Sequence, residues 1–201
     1  MKIPQKFLGS LFGFKKNYPD LWEEKYRLAT KRLLSSTFFL ISAKRCYKNE
    51  NKLLSAIGYY YSIFHLSKAL LFLHPQHSID DIQGISHKKV FNLIQAQFVQ
   101  RKILSNKFGS SFDYFKQIRE AANYKMGSWI SLSKTLGDEE HELLVCIAEG
   151  ISVFKAICKN EMGHIRSLIG DGIGDDWMDS YLSEDEAQEV VNFFLKHDLT
   201  T

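Results

Sequence analysis

The hexapeptide Arg119-Glu120-Ala121-Ala122-Asn123-Tyr124 holds the side chains in this chain best suited to gripping a phosphate. On a helix, residues four apart share a face. Arg119 and Asn123 therefore point one way, and Glu120 and Tyr124 form a second stack beside them. A guanidinium next to an amide and a phenol can hold a phosphodiester. The same groups can equally form a polar network, with a salt bridge through Glu120, that pins one helix to its neighbour. Two histidines offer proton chemistry near neutral pH. His65 follows the aromatic run Tyr59-Tyr60-Tyr61-Ser62-Ile63-Phe64, with Lys68 one turn further on. His87 precedes Lys88 and Lys89 at the start of a helical pattern, a ready place for an anion.

The elements that must position these groups read as helices. Pro19-Asp20 opens a long one, with Asp20 as its expected cap, running towards Cys46. Asn49-Glu50-Asn51 breaks it. A second helix spans Lys52 to Leu73, apolar on more than one face and so expected to be central. A polar loop to Gly84 follows. Ser86 caps a third helix, His87 to Gln100. Lys107 to Ser111 reads as a break, and Phe112 to Met126 as the fourth helix. The fifth starts at Gly137-Asp138 and ends near Asn160. Gly170 to Gly174 reads as a linker, and Ser183 to Glu186 as a capping box before a last helix reaching Lys196. No strand-like alternation of any length occurs. The three prolines, Pro4, Pro19 and Pro75, all fall near segment ends, which suits long helices. The expected fold is therefore all-α: a bundle of about five helices over residues 21–160, an N-terminal extension over 1–20, and an acidic C-terminal extension over 161–201 with one helix.

Charge is unevenly spread. Residues 171–201 hold nine acids and one base, a net charge of −8. The remaining residues carry 25 bases and 14 acids, or +11. A basic body suits an anionic partner such as RNA, and the acidic tail could cover that body or be solvated. The spacing of Asp171, Asp175, Asp176 and Asp179 lacks the alternating ligands of a calcium loop. Cys46, Cys146 and Cys158 form no metal-type cluster and are expected to be reduced, buried thiols. No apolar run approaches the ~20 residues of a membrane span. The apolar run Phe7 to Phe14, followed by Lys15-Lys16, is expected to pack on the body. A cytoplasmic protein is the expectation.

Four patches fall in a telling order: Tyr59 to His65 with Lys68-Ala69-Leu70-Leu71; His87-Lys88-Lys89-Val90-Phe91; Phe98-Val99; and Arg119 to Tyr124. This order resembles the HEPN domain, in the branch with a Tyr-Tyr-x-x-Phe-His run on the second helix and Arg-x-x-x-(Asp/Asn)-Tyr on the fourth. The resemblance covers roughly residues 21–160. It implies an antiparallel helical bundle that often dimerises near these motifs. It also implies an RNA-binding protein of a prokaryotic defence or toxin–antitoxin system, acting as a metal-independent ribonuclease. The alternative it leaves open is a non-catalytic module that partners a nucleotidyltransferase or another protein, such as an antitoxin. Catalytic members carry Arg-x(4–6)-His. Arg119 matches the arginine, but Tyr124, Lys125 and Met126 stand where the histidine would fall.

Metal-free RNA cleavage needs a base near the ribose 2′-OH, an acid at the leaving oxygen and positive charge on the phosphate. The candidate catalytic set is thus Arg119, Glu120, Asn123 and Tyr124, with His65 or His87 as substitute base. Lys68, Lys88, Lys89 and Lys125 are the candidate RNA contacts. No metal and no cofactor is expected.

Overall fold

The computed structural model describes residues 3–124, 136–171 and 192. Among them the chain is helical, with no strand. The helices are α1 (Gln5–Asn17), α2 (Pro19–Lys48), α3 (Lys52–Leu73), α4 (Ile79–Gln83), α5 (His87–Ile94), α6 (Asn106–Tyr124), α7 (Leu136–Ile157) and α8 (Met162–Asp171). A π-helical stretch, Gln95–Val99, continues α5, and a 3₁₀ turn, Lys159–Glu161, joins α7 to α8.

α3 is the central helix, as its apolar faces require. It packs along α2 and also touches α5, α6 and α7. Ala56, Ile63, Leu66, Ala69 and Leu70 have no exposed surface. α2 and α3 approach closely at Gly58: a Cβ there would lie 2.8 Å from Ala43 Cβ and 3.2 Å from the Phe39 carbonyl oxygen. Only a residue without a side chain fits that crossing. α1 packs on the body through Phe7 and Leu11, as expected of the apolar N-terminal run.

Several boundaries differ from expectation. Asp20 does not cap α2. Tyr18 sits at the cap position and Pro19 at the first helical position, with Asp20 in the first turn, where an acid still favours the helix dipole. Lys107 to Ser111 is helical rather than a break. Ser105 Oγ accepts the Phe108 N–H at 3.3 Å, and Phe108 and Ser111 are buried, so packing overrides the local glycine and serines. The loop before Gly84 contains α4, closed by a reciprocal capping box between Ser78 and Asp81. α8 was not visible as a helix in the sequence. Its Ile165 is fully buried, and Tyr26 Oη lies 2.6 Å from His164 Nδ1. The expected last helix, its capping box at Ser183 and most of the acidic tail lie outside the described residues.

Two helices end in the same motif. At the end of α2, Asn51 N–H donates to the Cys46 carbonyl at 2.8 Å and Glu50 N–H to Tyr47 at 3.0 Å. After the π stretch, Ile103 N–H donates to Phe98 at 2.8 Å and Lys102 N–H to Val99 at 2.9 Å. These are Schellman closures, which place one residue in the left-handed region. Glycine usually takes that place; here it is Glu50 (φ 60°) and Lys102 (φ 58°).

All three cysteines are free thiols, with Cys146 and Cys158 buried and Cys46 half-buried. No helix among the described residues is long and apolar enough to cross a membrane.

Candidate functional site

Tyr60 is the hub of the site. Its ring is fully buried on α3 and touches the rings of Phe64, His87 and Phe112. Its hydroxyl lies 2.5 Å from His87 Nδ1. The Arg119 guanidinium, from α6, sits 5.6 Å from the centre of the same ring. Three helices thus contribute one group each: α3 the phenol, α5 the imidazole, α6 the guanidinium. Ser86 fixes the start of α5, its hydroxyl accepting the Lys89 N–H. Phe64 stacks on the His87 ring at 4.2 Å and holds its orientation.

Proton positions follow from burial. Burial raises the Tyr60 phenol well above its ordinary value, and Arg119 only partly offsets this. The phenol keeps its hydrogen, which then has one acceptor among the described residues, His87 Nδ1. Burial, followed by the charges of Arg119 and Lys68, lowers His87 below its ordinary value. His87 is therefore neutral near pH 7, accepts at Nδ1 and carries its own hydrogen on Nε2. In that tautomer it is a donor to an anion, since the tyrosine occupies the nitrogen a base would use.

His65 lies close by but in a different setting. Its ring stacks on Phe39 at 5.3 Å and meets Phe64 edge-on, and its Nδ1 is buried without a partner among the described residues. Burial, then Arg32, Lys68 and His87, push it down to about 3. Such an imidazole is a poor base at neutral pH.

Lys68 is buried, 5% exposed, and donates to the Gln83 carbonyl at 3.0 Å. Burial holds its ammonium at about 8. Its charge acts on the site through the field and not from the surface. Lys88 and Lys89 are exposed beside His87. Glu120 is exposed as well, and its charge reaches Tyr60. The structure therefore brings Arg119, His87 and His65 around Tyr60 and Phe64. Asn123 and Tyr124 end α6; their side chains, and Lys125 entirely, lie outside the described residues.

Sequence reasoning missed Arg32. It is half-buried on α2 and lines a cavity of about 370 Å³ with Leu28, Lys31, Ser35, Phe72 and Gln83. Its charge reaches His65 and Lys68. The only signal was the adjacent basic pair Lys31-Arg32 between the apolar positions Leu28 and Leu33. Among the described residues, no group of three or more His, Cys, Asp or Glu is placed to hold a metal ion.

No protein-family model, no curated protein and no solved structure matches this chain.

Proposed function

We propose that this chain is a HEPN-type RNA-binding protein whose Arg119–Tyr60–His87 cluster holds a backbone phosphate. The observation that carries this reading is the packing of Arg119 over Tyr60 while Tyr60 bonds His87. It gathers a fixed positive charge and an imidazole around one buried phenol, with the imidazole hydrogen on Nε2, away from the hydroxyl. The exposed Lys88 and Lys89 add charge at the start of α5, where helix N–H groups favour an anion. The order of the Tyr59–His65, His87–Phe91 and Arg119–Tyr124 patches supplies the family reading. In that family the same face serves as a dimer interface or receives a protein partner.

Binding is favoured over cleavage within this reading. The Tyr60 hydroxyl takes the nitrogen with which His87 would abstract a proton, and His65 is held too far below neutrality to replace it. This supports the non-catalytic form of the family over the ribonuclease.

The test is anisotropy of a labelled single-stranded RNA titrated with the full chain at low salt. Arg119→Ala is expected to weaken binding at least about tenfold, the ~1.4 kcal/mol of a charge-assisted contact. Its unfolding free energy should stay within about 1 kcal/mol, the scale of a lost cation–π contact. Unchanged affinity would remove the proposal. Incubation of the same RNA with the wild type is expected to leave it intact. Cleavage that vanishes in His87→Ala would reinstate the ribonuclease.

A further inference from the structure

A second polar cavity lies at the far end of α3. The fourteen residues from Tyr60 to His74 correspond to about 20 Å of helix, so it is separate from the Tyr60 cluster. Its volume is about 330 Å³, and Lys6, Phe7, Ser10, His74, Gln76 and Arg101 are among the residues lining it. No carboxylate among the described residues lines it.

His74 is the telling residue. It is 1% exposed, and its ring is held by Phe7 at 5.4 Å and Phe98 at 5.7 Å. Its Nδ1 accepts the Gln76 N–H at 3.3 Å. A neutral ring that accepts at Nδ1 carries its hydrogen on Nε2. That Nε2 is buried without a partner among the described residues. An unpaired buried donor costs about 1–3 kcal/mol unless something accepts from it.

The surroundings select an anion. Arg101 and Lys6 are exposed cations at the cavity wall. Lys25 lies behind His74, fully buried, donating to the His74 and His77 carbonyls at 2.8 and 2.6 Å. The start of α1 borders the same space, since Lys6 and Phe7 are in its first turn. Pro4 caps it with no side-chain hydrogen bond, and no acid stands in that turn, so no side chain there offsets the positive end of the helix dipole. Burial above all, and after it the charges of His77, Arg101 and Lys25, hold His74 down at about 4.

We propose that this cavity binds a small phosphate monoester. The phosphate would lie against Arg101, Lys6 and His74 Nε2–H, and the organic part against Phe7, Pro4 and Ile103. The volume falls at the low end of the ~300–1,000 Å³ usual for small-ligand pockets, which suits one phosphate with a compact organic group.

Calorimetric titration of the full chain with phenyl phosphate, inorganic phosphate and phenol tests this. Phenyl phosphate is expected to bind at one saturable site, inorganic phosphate more weakly, and phenol not at all. The double variant Lys6→Gln, Arg101→Gln changes only exposed residues and should fold. It is expected to weaken phenyl phosphate at least about tenfold, the loss of charge-assisted contacts. His74→Phe keeps the ring packing and removes the donor, and should weaken binding as well. Arg119→Ala should leave phenyl phosphate binding unchanged, which separates this site from the RNA face. No saturable phenyl phosphate binding, undiminished binding in the double variant, or loss in Arg119→Ala would overturn the proposal.

Discussion

At the residue scale, the chain turns on where two histidines, one half-buried and one buried, keep their hydrogens. His87 is fixed as the Nε2–H tautomer by Tyr60, and His74 by the Gln76 amide. Replacing Tyr60 with Phe removes the hydroxyl hydrogen that selects the His87 tautomer. Histidine side-chain ¹H–¹⁵N spectra of Tyr60→Phe are expected to show His87 as a mixture, with about 1–2 kcal/mol lost from the orphaned Nδ1. A single unchanged tautomer would contradict the assignment. The pH dependence has a definite sign. An unfolded histidine takes a proton as pH falls through about 6.5. His74 resists until about 4 and His65 until about 3, so the unfolded chain binds more protons in between. Stability from these groups is complete above about pH 6.5 and is lost as pH falls towards 4 and 3. His74 alone accounts for a loss on the order of 3 kcal/mol. Urea midpoints measured from pH 7.5 downwards should fall more gently in His74→Phe than in the wild type. Parallel curves would show that His74 does not carry this slope.

At the element scale, helix ends and one crossing decide how the groups meet. Glu50 and Lys102 hold left-handed positions at a strain of about 1–2 kcal/mol each, against roughly 0.5–1 kcal/mol of extra entropy for a glycine. Glu50→Gly and Lys102→Gly are therefore each expected to raise stability by about 0.5–1 kcal/mol in thermal unfolding, and a loss in either would contradict the cap geometry. Gly58→Ala acts in the opposite sense. The new Cβ meets a helix backbone and the Ala43 methyl, neither of which can swing away. A loss of about 1–3 kcal/mol is expected. These elements also explain what the sequence could and could not disclose. His87 and Arg119 were legible because each sits on a helix whose apolar period is local, and Ser86 marks the start of α5; Tyr60 stood only in an aromatic run, and nothing local marked it as the hub. The break expected at Lys107 to Ser111 failed because Gly109 serves packing: a Cβ there would meet the Gln95 amide at 2.5 Å. Arg101 was invisible as a site residue because its turn closes on Lys102 with no glycine to announce it. His74 and Arg101 line one cavity with α1; the apolar run of α1 announced that it would dock, but no local pattern encodes where it docks or the π stretch before Arg101.

At the scale of the whole molecule, a polar latch joins the two ends of the described fold. Lys15 on α1 donates to the Ile157 carbonyl at 2.8 Å and pairs with Glu161 at 3.0 Å. Glu161 also accepts from Trp22 Nε1 at 3.0 Å, and the Lys15 ammonium lies 4.3 Å from the Trp22 ring centre. Both charged side chains are mostly shielded, 19% and 16% exposed, so this pair is worth more than a solvated one. α1 otherwise rests on few buried side chains, Phe7 and Leu11, which makes it the element most dependent on the latch. Glu161→Ala leaves an ammonium and an indole N–H without their carboxylate and is expected to cost about 1–3 kcal/mol. That loss should concentrate in α1, because Lys15 of α1 is the charged partner of Glu161. Hydrogen exchange followed by mass spectrometry should then show faster exchange across residues 5–17, with α3 little changed. Since α1 supplies Lys6 and Phe7 to the far cavity, phenyl phosphate should slow that exchange again in the variant. Exchange in α1 that ignores both the substitution and the ligand would mean that neither the latch nor the cavity governs how this helix is held.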